Sequence, residues 1–125
     1  MQLDQAELIY QKLSECLART IPPMVLRVQT DTNLEVWSGK VVELFGQKRD
    51  GLYFAGLVKR RTYLSFYYMP IYMEPSFGAK LSPLLVACQS GKSCFHIKEL
   101  DDALQAAIED ALELGVACFV DHGWA

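Results

Sequence analysis

Between Gly51 and Met69 the chain reads GLYFAGLVKRRTYLSFYYM, two runs rich in aromatic and β-branched residues on either side of the basic tripeptide Lys59-Arg60-Arg61. Each run needs a backbone partner, and a short turn makes each the partner of the other, so the segment reads as an antiparallel hairpin. The same period of two recurs upstream. Met24, Leu26 and Val28 alternate with Val25, Arg27 and Gln29; Asp31-Thr32-Asn33 turns into Leu34–Trp37; Ser38-Gly39-Lys40 turns into Val41–Gly46. The polar stretch Gln47–Gly51 reads as a loop before Leu52–Val58. The expectation is a five-strand meander from Met24 to Met69, with Lys40 and the Lys59-Arg60-Arg61 turn at the same end of the sheet.

Helical periodicity brackets this region. From about Leu3 to Thr20, Ala6, Ile9, Tyr10, Leu13, Cys16 and Leu17 recur at three- and four-residue steps, and Pro22 and Pro23 stop the helix. Near the other end Asp101, or the residue before it, caps a helix whose apolar face is Leu104, Ala107, Ile108, Ala111 and Leu112. This helix stops at Gly115 or runs past it; Cys118 and Phe119 continue the stripe and favour the longer helix, against a glycine cost of about 1 kcal/mol. In between, Ser82-Pro83 is an N-cap and first turn, with Gly91 as the matching C-cap and Leu84, Leu85 and Cys88 directed inward. Ser93–Lys98 is a last short strand.

Two helices with one apolar stripe each can cover only one face of such a sheet. The expected fold is therefore α+β, a two-layer sandwich formed by residues 1–125 as one domain. A twisted antiparallel sheet of five to six strands carries both terminal helices on one face, with Leu13, Leu17, Ile108 and Leu112 in the core.

Composition excludes several classes. With 51% apolar and 22% charged residues the chain can bury a core, and it lacks the charge excess of a disordered segment. No apolar run reaches the roughly 18–20 residues of a membrane helix, and MQLDQAELIYQKL lacks the basic, then apolar, start of a signal peptide. Cys16, Cys88, Cys94 and Cys118 form no CxxC pair and sit in core-like segments, as buried thiols of a reducing compartment do. A cytoplasmic protein is expected. Of the 15 acidic residues seven lie from Glu99 onward, where there is no Lys or Arg. No broad basic face results, so nucleic acid is not an expected partner.

The Gly51–Met69 run, the Leu84–Lys98 segment with GKSCFHIK, and the helix DDALQAAIEDAL together resemble the YdhG-like family of small bacterial proteins, a domain of unknown function. The resemblance covers residues 3–115 and rests on structural positions. It implies a frataxin-like α/β sandwich and, through some members, iron handling; it places no ligand set on this chain.

Four constellations carry chemistry that can be weighed. Asp102, Glu109, Asp110 and Glu113 fall on the solvent face of the C-terminal helix, where carboxylates could collect a hard cation such as iron or simply be solvated. Cys94, His96, Cys118 and His122 are zinc-type ligands, but the first pair alternates with core residues Phe95 and Ile97 while Cys118 belongs to the helix stripe, which puts the pairs on opposite sides. No GxSxG elbow or protease-type cysteine is present, and Gly91-Lys92-Ser93 lacks the upstream glycine of a phosphate loop, so neither an enzyme nor a cofactor is expected.

The last constellation is the sheet face away from the helices. If Leu26, Val28, Leu34, Val36, Leu44, Leu64, Phe66 and Phe95 face the helices, the other side displays Arg27, Gln29, Glu35, Trp37, Glu43, Tyr63, Ser65, Tyr67, Cys94 and His96. Large rings beside polar groups are typical of contact surfaces. Arg27, Trp37, Tyr63, Tyr67 and His96 are the expected binding face of a non-catalytic module, with a second copy or another protein as partner. Trp37, Tyr63 and Tyr67 are expected in mutual contact. The alternative is iron handling by Glu109, Asp110 and Glu113.

Overall fold

Helix α1 spans Gln5–Ala18 and begins where Asp4 accepts a hydrogen bond from the Glu7 backbone N–H at 2.7 Å. The computed structural model describes residues 4–125 apart from the side chains of Leu44 and Pro75, so an α1 start at Leu3 and the facing of Leu44 lie outside the described residues. Six strands and helices follow in the order β1 (Met24–Gln29), β2 (Asn33–Ser38), β3 (Val41–Leu44), β4 (Gln47–Asp50), β5 (Tyr53–Lys59) and β6 (Leu64–Tyr68), then α2 (Pro70–Met73). A 3₁₀ turn Pro75–Lys80, α3 (Pro83–Val86), β7 (Cys94–Ile97) and α4 (Asp102–Asp121) complete the chain. The protein is an α+β sandwich. Its main sheet is antiparallel with order β1-β2-β5-β6-β7, and α1 and α4 pack together on one face.

Burial explains the layering. Leu34, Val36, Leu57, Leu64, Phe66, Tyr68, Phe95 and Ile97 lie under the helices, against Leu13, Leu17, Ile108 and Leu112. All of these are buried as the two stripes require. Helix α4 does run past Gly115. There a Cβ would lie 2.9 Å from Pro70 and from the Tyr68 hydroxyl and 3.0 Å from Phe54, so glycine lets the helix settle onto the sheet. Tyr68 then donates to the Ala111 carbonyl at 2.5 Å. Gly115→Ala would gain about 1 kcal/mol of helix propensity but overpack a rigid site at about 1–3 kcal/mol. A net loss of up to about 2 kcal/mol in urea unfolding is expected; an unchanged midpoint would mean that α4 moves aside freely.

Several sequence expectations need correction. Val41–Gly46 is not a meander strand: β3 leaves the main sheet and pairs with β4, the stretch read as a polar loop. Removing one strand from the meander changes its parity. β2 pairs directly with β5 (Asn33 opposite Val58, Trp37 opposite Tyr53), so Lys40 and the Lys59-Arg60-Arg61 turn lie at opposite ends of the sheet. A bulge at Arg27 shifts β1, so Val28 pairs with Glu35 on the open face and Gln29 with Leu34, the reverse of strict alternation. Leu26 faces the helix side but is 44% exposed, because β1 is the edge strand while α1 lies mainly over β5 and β6. The expected Ser82 cap is present, its hydroxyl accepting from Leu84 N–H, but α3 ends at Val86 with Ala87 as C-cap. Gly91 instead serves the turn into β7 at φ +103°. In so short a helix Leu85 is buried while neighbouring Leu84 is exposed and Cys88 only half-buried.

Candidate functional site

The helix-free face of the sheet is built around Tyr53 and Gly56 of β5. A Cβ at Gly56 would sit 1.7 Å from the Tyr53 hydroxyl, so the ring of Tyr53 lies along its own strand in the space that the glycine leaves. From there it meets Trp37 of β2 edge-on, with ring centres 5.7 Å apart, and reaches toward Tyr67 of β6, the residue paired with Gly56. Burial raises the Tyr53 phenol well above its ordinary value, and Glu35, Tyr67 and Cys94 add to the shift. Its hydroxyl is therefore a hydrogen-bond donor at any physiological pH.

Trp37 is held from two sides. Its indole N–H donates to Glu35 at 3.0 Å, and the Arg27 guanidinium lies 4.6 Å from its ring centre while also donating to the Asp50 carbonyl. Arg27 reaches this face as the alternation after Leu26 requires, at the point where the β1 bulge begins. Beyond Trp37 the surface dips into a pocket of about 310 Å³ lined by Trp37, Tyr53, Leu52, Met69, Tyr72 and Arg49, among others. A second depression of about 310 Å³, with Glu35, Tyr53, Val58, Tyr67 and Met69, adjoins it. Tyr53 and Met69 line both, so the two depressions, together the groove of this face, lie side by side across the sheet. Phe45 at the tip of the β3–β4 hairpin borders it, 92% exposed.

Of the five residues expected on this face, all five lie there, but in two groups. Arg27 and Trp37 stand at the groove with Tyr53. Tyr63 stacks on His96, ring centres 4.6 Å apart, at the far end beside the Lys59-Arg60-Arg61 turn. Tyr67 lies between them, its hydroxyl accepting from Arg60 at 3.2 Å. The expected mutual contact of Trp37, Tyr63 and Tyr67 is thus replaced by separate pairs, because Trp37 lies near the end of β2 at one end of the sheet and Tyr63 precedes β6 at the other. Tyr53, Met69 and Tyr72 were not among the expected residues. Gly56 three places after Tyr53 was the available signal, since glycine inside a strand marks the close approach of another group.

The acidic helix is differently placed. Glu109 is engaged by Arg19 at 3.1 Å, by Gln105 and by the Cys16 thiol, in a cleft of about 280 Å³ between α1 and α4. Burial first, then the Glu109 carboxylate, pushes Cys16 up to about 11, so this thiol is inert at neutral pH. Asp110 and Glu113 are exposed, and the three carboxylates do not converge: among the described residues only Glu74, Cys118 and His122 bring three candidate ligand atoms together. Cys94 and His96 lie on the open face, apart from Cys118, as expected. In the basic turn Lys59 is paired with Glu7, while Arg60 keeps its charge and is held in place by hydrogen bonds to the Ser65 and Tyr67 hydroxyls.

No family model, curated protein or solved structure matches this chain. The YdhG-like resemblance therefore adds no functional residue to those identified by geometry. No helix among the described residues is long and apolar enough to cross a membrane.

Proposed function

We propose that the chain is a non-catalytic binding module whose recognition surface is the groove on the open sheet face, and that it takes an apolar or aromatic group carried beside a negative charge on a protein partner. The observation that carries this reading is Tyr53 lying over Gly56 against Trp37, which makes an aromatic floor that water-facing strands do not need. Arg27, Arg49 and Arg60 border that floor, against Glu35 within it. The rings supply contact area with few rotamers to lose, and guanidiniums over aromatic planes supply charge with little desolvation. Exposed Phe45 and Tyr72, at 92% and 56%, extend the apolar surface beyond what a solvated rim requires. The four cysteines are unpaired, which suits a cytoplasmic setting.

The α1–α4 cleft is the rival site. Arg19 and Glu109 already satisfy each other, which leaves the exposed Glu113 carboxylate as the one remaining charge among its described lining residues and no free cation to hold an anionic group.

The reading is tested with 8-anilinonaphthalene-1-sulfonate, an aromatic probe bearing one negative charge. Folded protein, verified by near-ultraviolet circular dichroism, should bind it saturably and quench Trp37 in a Trp124→Phe background. Tyr53→Ser should weaken binding about tenfold, the equivalent of about 1.4 kcal/mol of lost ring contact. Equal binding by parent and Tyr53→Ser would sink the reading.

A further inference from the structure

Helix α4 places Cys118 and His122 one turn apart, and the chain after α2 brings Glu74 up against both. We propose that Glu74, Cys118 and His122 form a binding site for a borderline-soft divalent cation, zinc foremost. The site lies at the C-terminal end of α4, on the helix side of the sheet, and is independent of the groove on the other face.

Three observations support it. One ligand atom from each residue lies within 4.8 Å of the other two. The Cys118 sulfur is 3.7 Å from Glu74 Oε2 and 3.7 Å from His122 Nδ1, and His122 Nε2 is 3.9 Å from the same Glu74 oxygen. Zinc bonds of about 2.3 Å to sulfur and 2.0 Å to nitrogen or oxygen give tetrahedral edges of roughly 3.3–3.6 Å, so the two edges that meet at the Glu74 oxygen need only small side-chain adjustments to enter a coordination shell, and a turn of the imidazole brings Nε2 toward the sulfur. The second observation is the imidazole's orientation. Nδ1 lies 2.8 Å from the Cys118 carbonyl oxygen, and because a carbonyl can only accept, Nδ1 carries the proton. That leaves the Nε2 lone pair free on the side of Glu74, the arrangement in which a backbone carbonyl orients a metal-binding histidine. The ring plane is fixed as well: Trp124 stacks on it at 4.4 Å and is itself packed edge-on against Phe119 at 5.3 Å.

Charge is the third. A deprotonated Cys118 and Glu74 together offer two negative charges to a dication, and neutral His122 adds none. The same set suits a cysteine nucleophile poorly, because Nδ1 is committed to the carbonyl and a carboxylate faces the thiol, which opposes thiolate formation unless a cation intervenes. The Glu74 and His122 side chains are 43% and 41% exposed, so a cation can enter and a water can take the fourth position.

The test uses the full chain, reduced and treated with chelator, titrated with cobalt(II) and with zinc. Cobalt should give the intense ligand-field bands of a tetrahedral site and a near-ultraviolet thiolate charge-transfer band, both displaced by zinc. Cys118→Ser should abolish the thiolate band and Cys94→Ser should leave it unchanged. Glu74→Gln and His122→Gln should each weaken zinc binding about tenfold or more, since even outer partners of a ligand contribute that much. These two side chains are exposed enough to alter without unfolding, so they decide the matter should Cys118→Ser not fold. Absence of the tetrahedral bands, persistence of the thiolate band in Cys118→Ser, or parent-like zinc affinity in both exposed variants would overturn the proposal.

Discussion

Replacing Phe54 by Ala should lower the free energy of unfolding by about 3–5 kcal/mol, a large share of the roughly 5–15 kcal/mol available to a domain. Phe54 is fully buried and packs edge-on against Phe119, 5.1 Å away, and Tyr68, 6.5 Å away, just where Gly115 lets α4 approach the sheet. Truncation therefore empties the contact between β5, β6 and α4 in one step. Gly115 has no side chain with which to refill it, so the cavity should persist. For a chain of this length the midpoint of thermal unfolding should fall by about 12–20 °C. Val41→Ala, at a side chain 65% exposed, should change stability by no more than about 0.5 kcal/mol. A Phe54→Ala loss as small as that control would mean that α4 does not rest on the sheet as described.

The second large effect should appear in binding. The double variant Trp37→Ser, Tyr67→Ser removes the ring at each side of Tyr53 and the platform for Arg27. Each ring should be worth about 1 kcal/mol of contact, so together they should weaken probe binding by tenfold or more. The stability cost should be smaller than for Phe54→Ala, because both side chains are only half-buried and their cross-strand contacts contribute about 0.2–1 kcal/mol each. Equilibrium titration and urea unfolding of the same sample separate the two quantities. Loss of stability without loss of binding would assign these rings to the scaffold.

The contrast between Phe54 and Trp37 also shows where periodicity can be read. Helices α1 and α4 were legible because their stripes are unbroken and Asp101 caps as its side chain allows, accepting from Leu104 N–H at 2.8 Å. The faces of β2, β6 and β7 were legible because large apolar residues alternate with polar or aromatic ones on a regular pleat. β5 was not. LYFAGLV mixes small and large residues, and the bulge after Val36 sends Phe54 and Ala55 both inward, so no two-residue period survives. β4 was invisible for another reason: QKRD is polar and wholly exposed, and a strand with no buried face leaves no pattern. Its pairing with β3 decided which strands meet in the main sheet, and so which end carries the basic turn. At the cation site, the four-residue spacing of Cys118 and His122 could be read, whereas Glu74 could not. It lies where the chain passes from α2 into a 3₁₀ turn, a stretch without periodicity, and only the tertiary fold brings it to α4.

Recognition on the open sheet face should leave a residue-specific signature in solution. Backbone amide shifts of isotopically labelled protein, followed during titration with 8-anilinonaphthalene-1-sulfonate, test it most directly. Saturating shifts are expected at Trp37, Tyr53, Gly56, Tyr67 and Met69, with Cys16, Arg19, Glu109 and Val116 of the α1–α4 cleft unmoved. Shifts confined to that cleft, with the Gly56 amide silent, would contradict it.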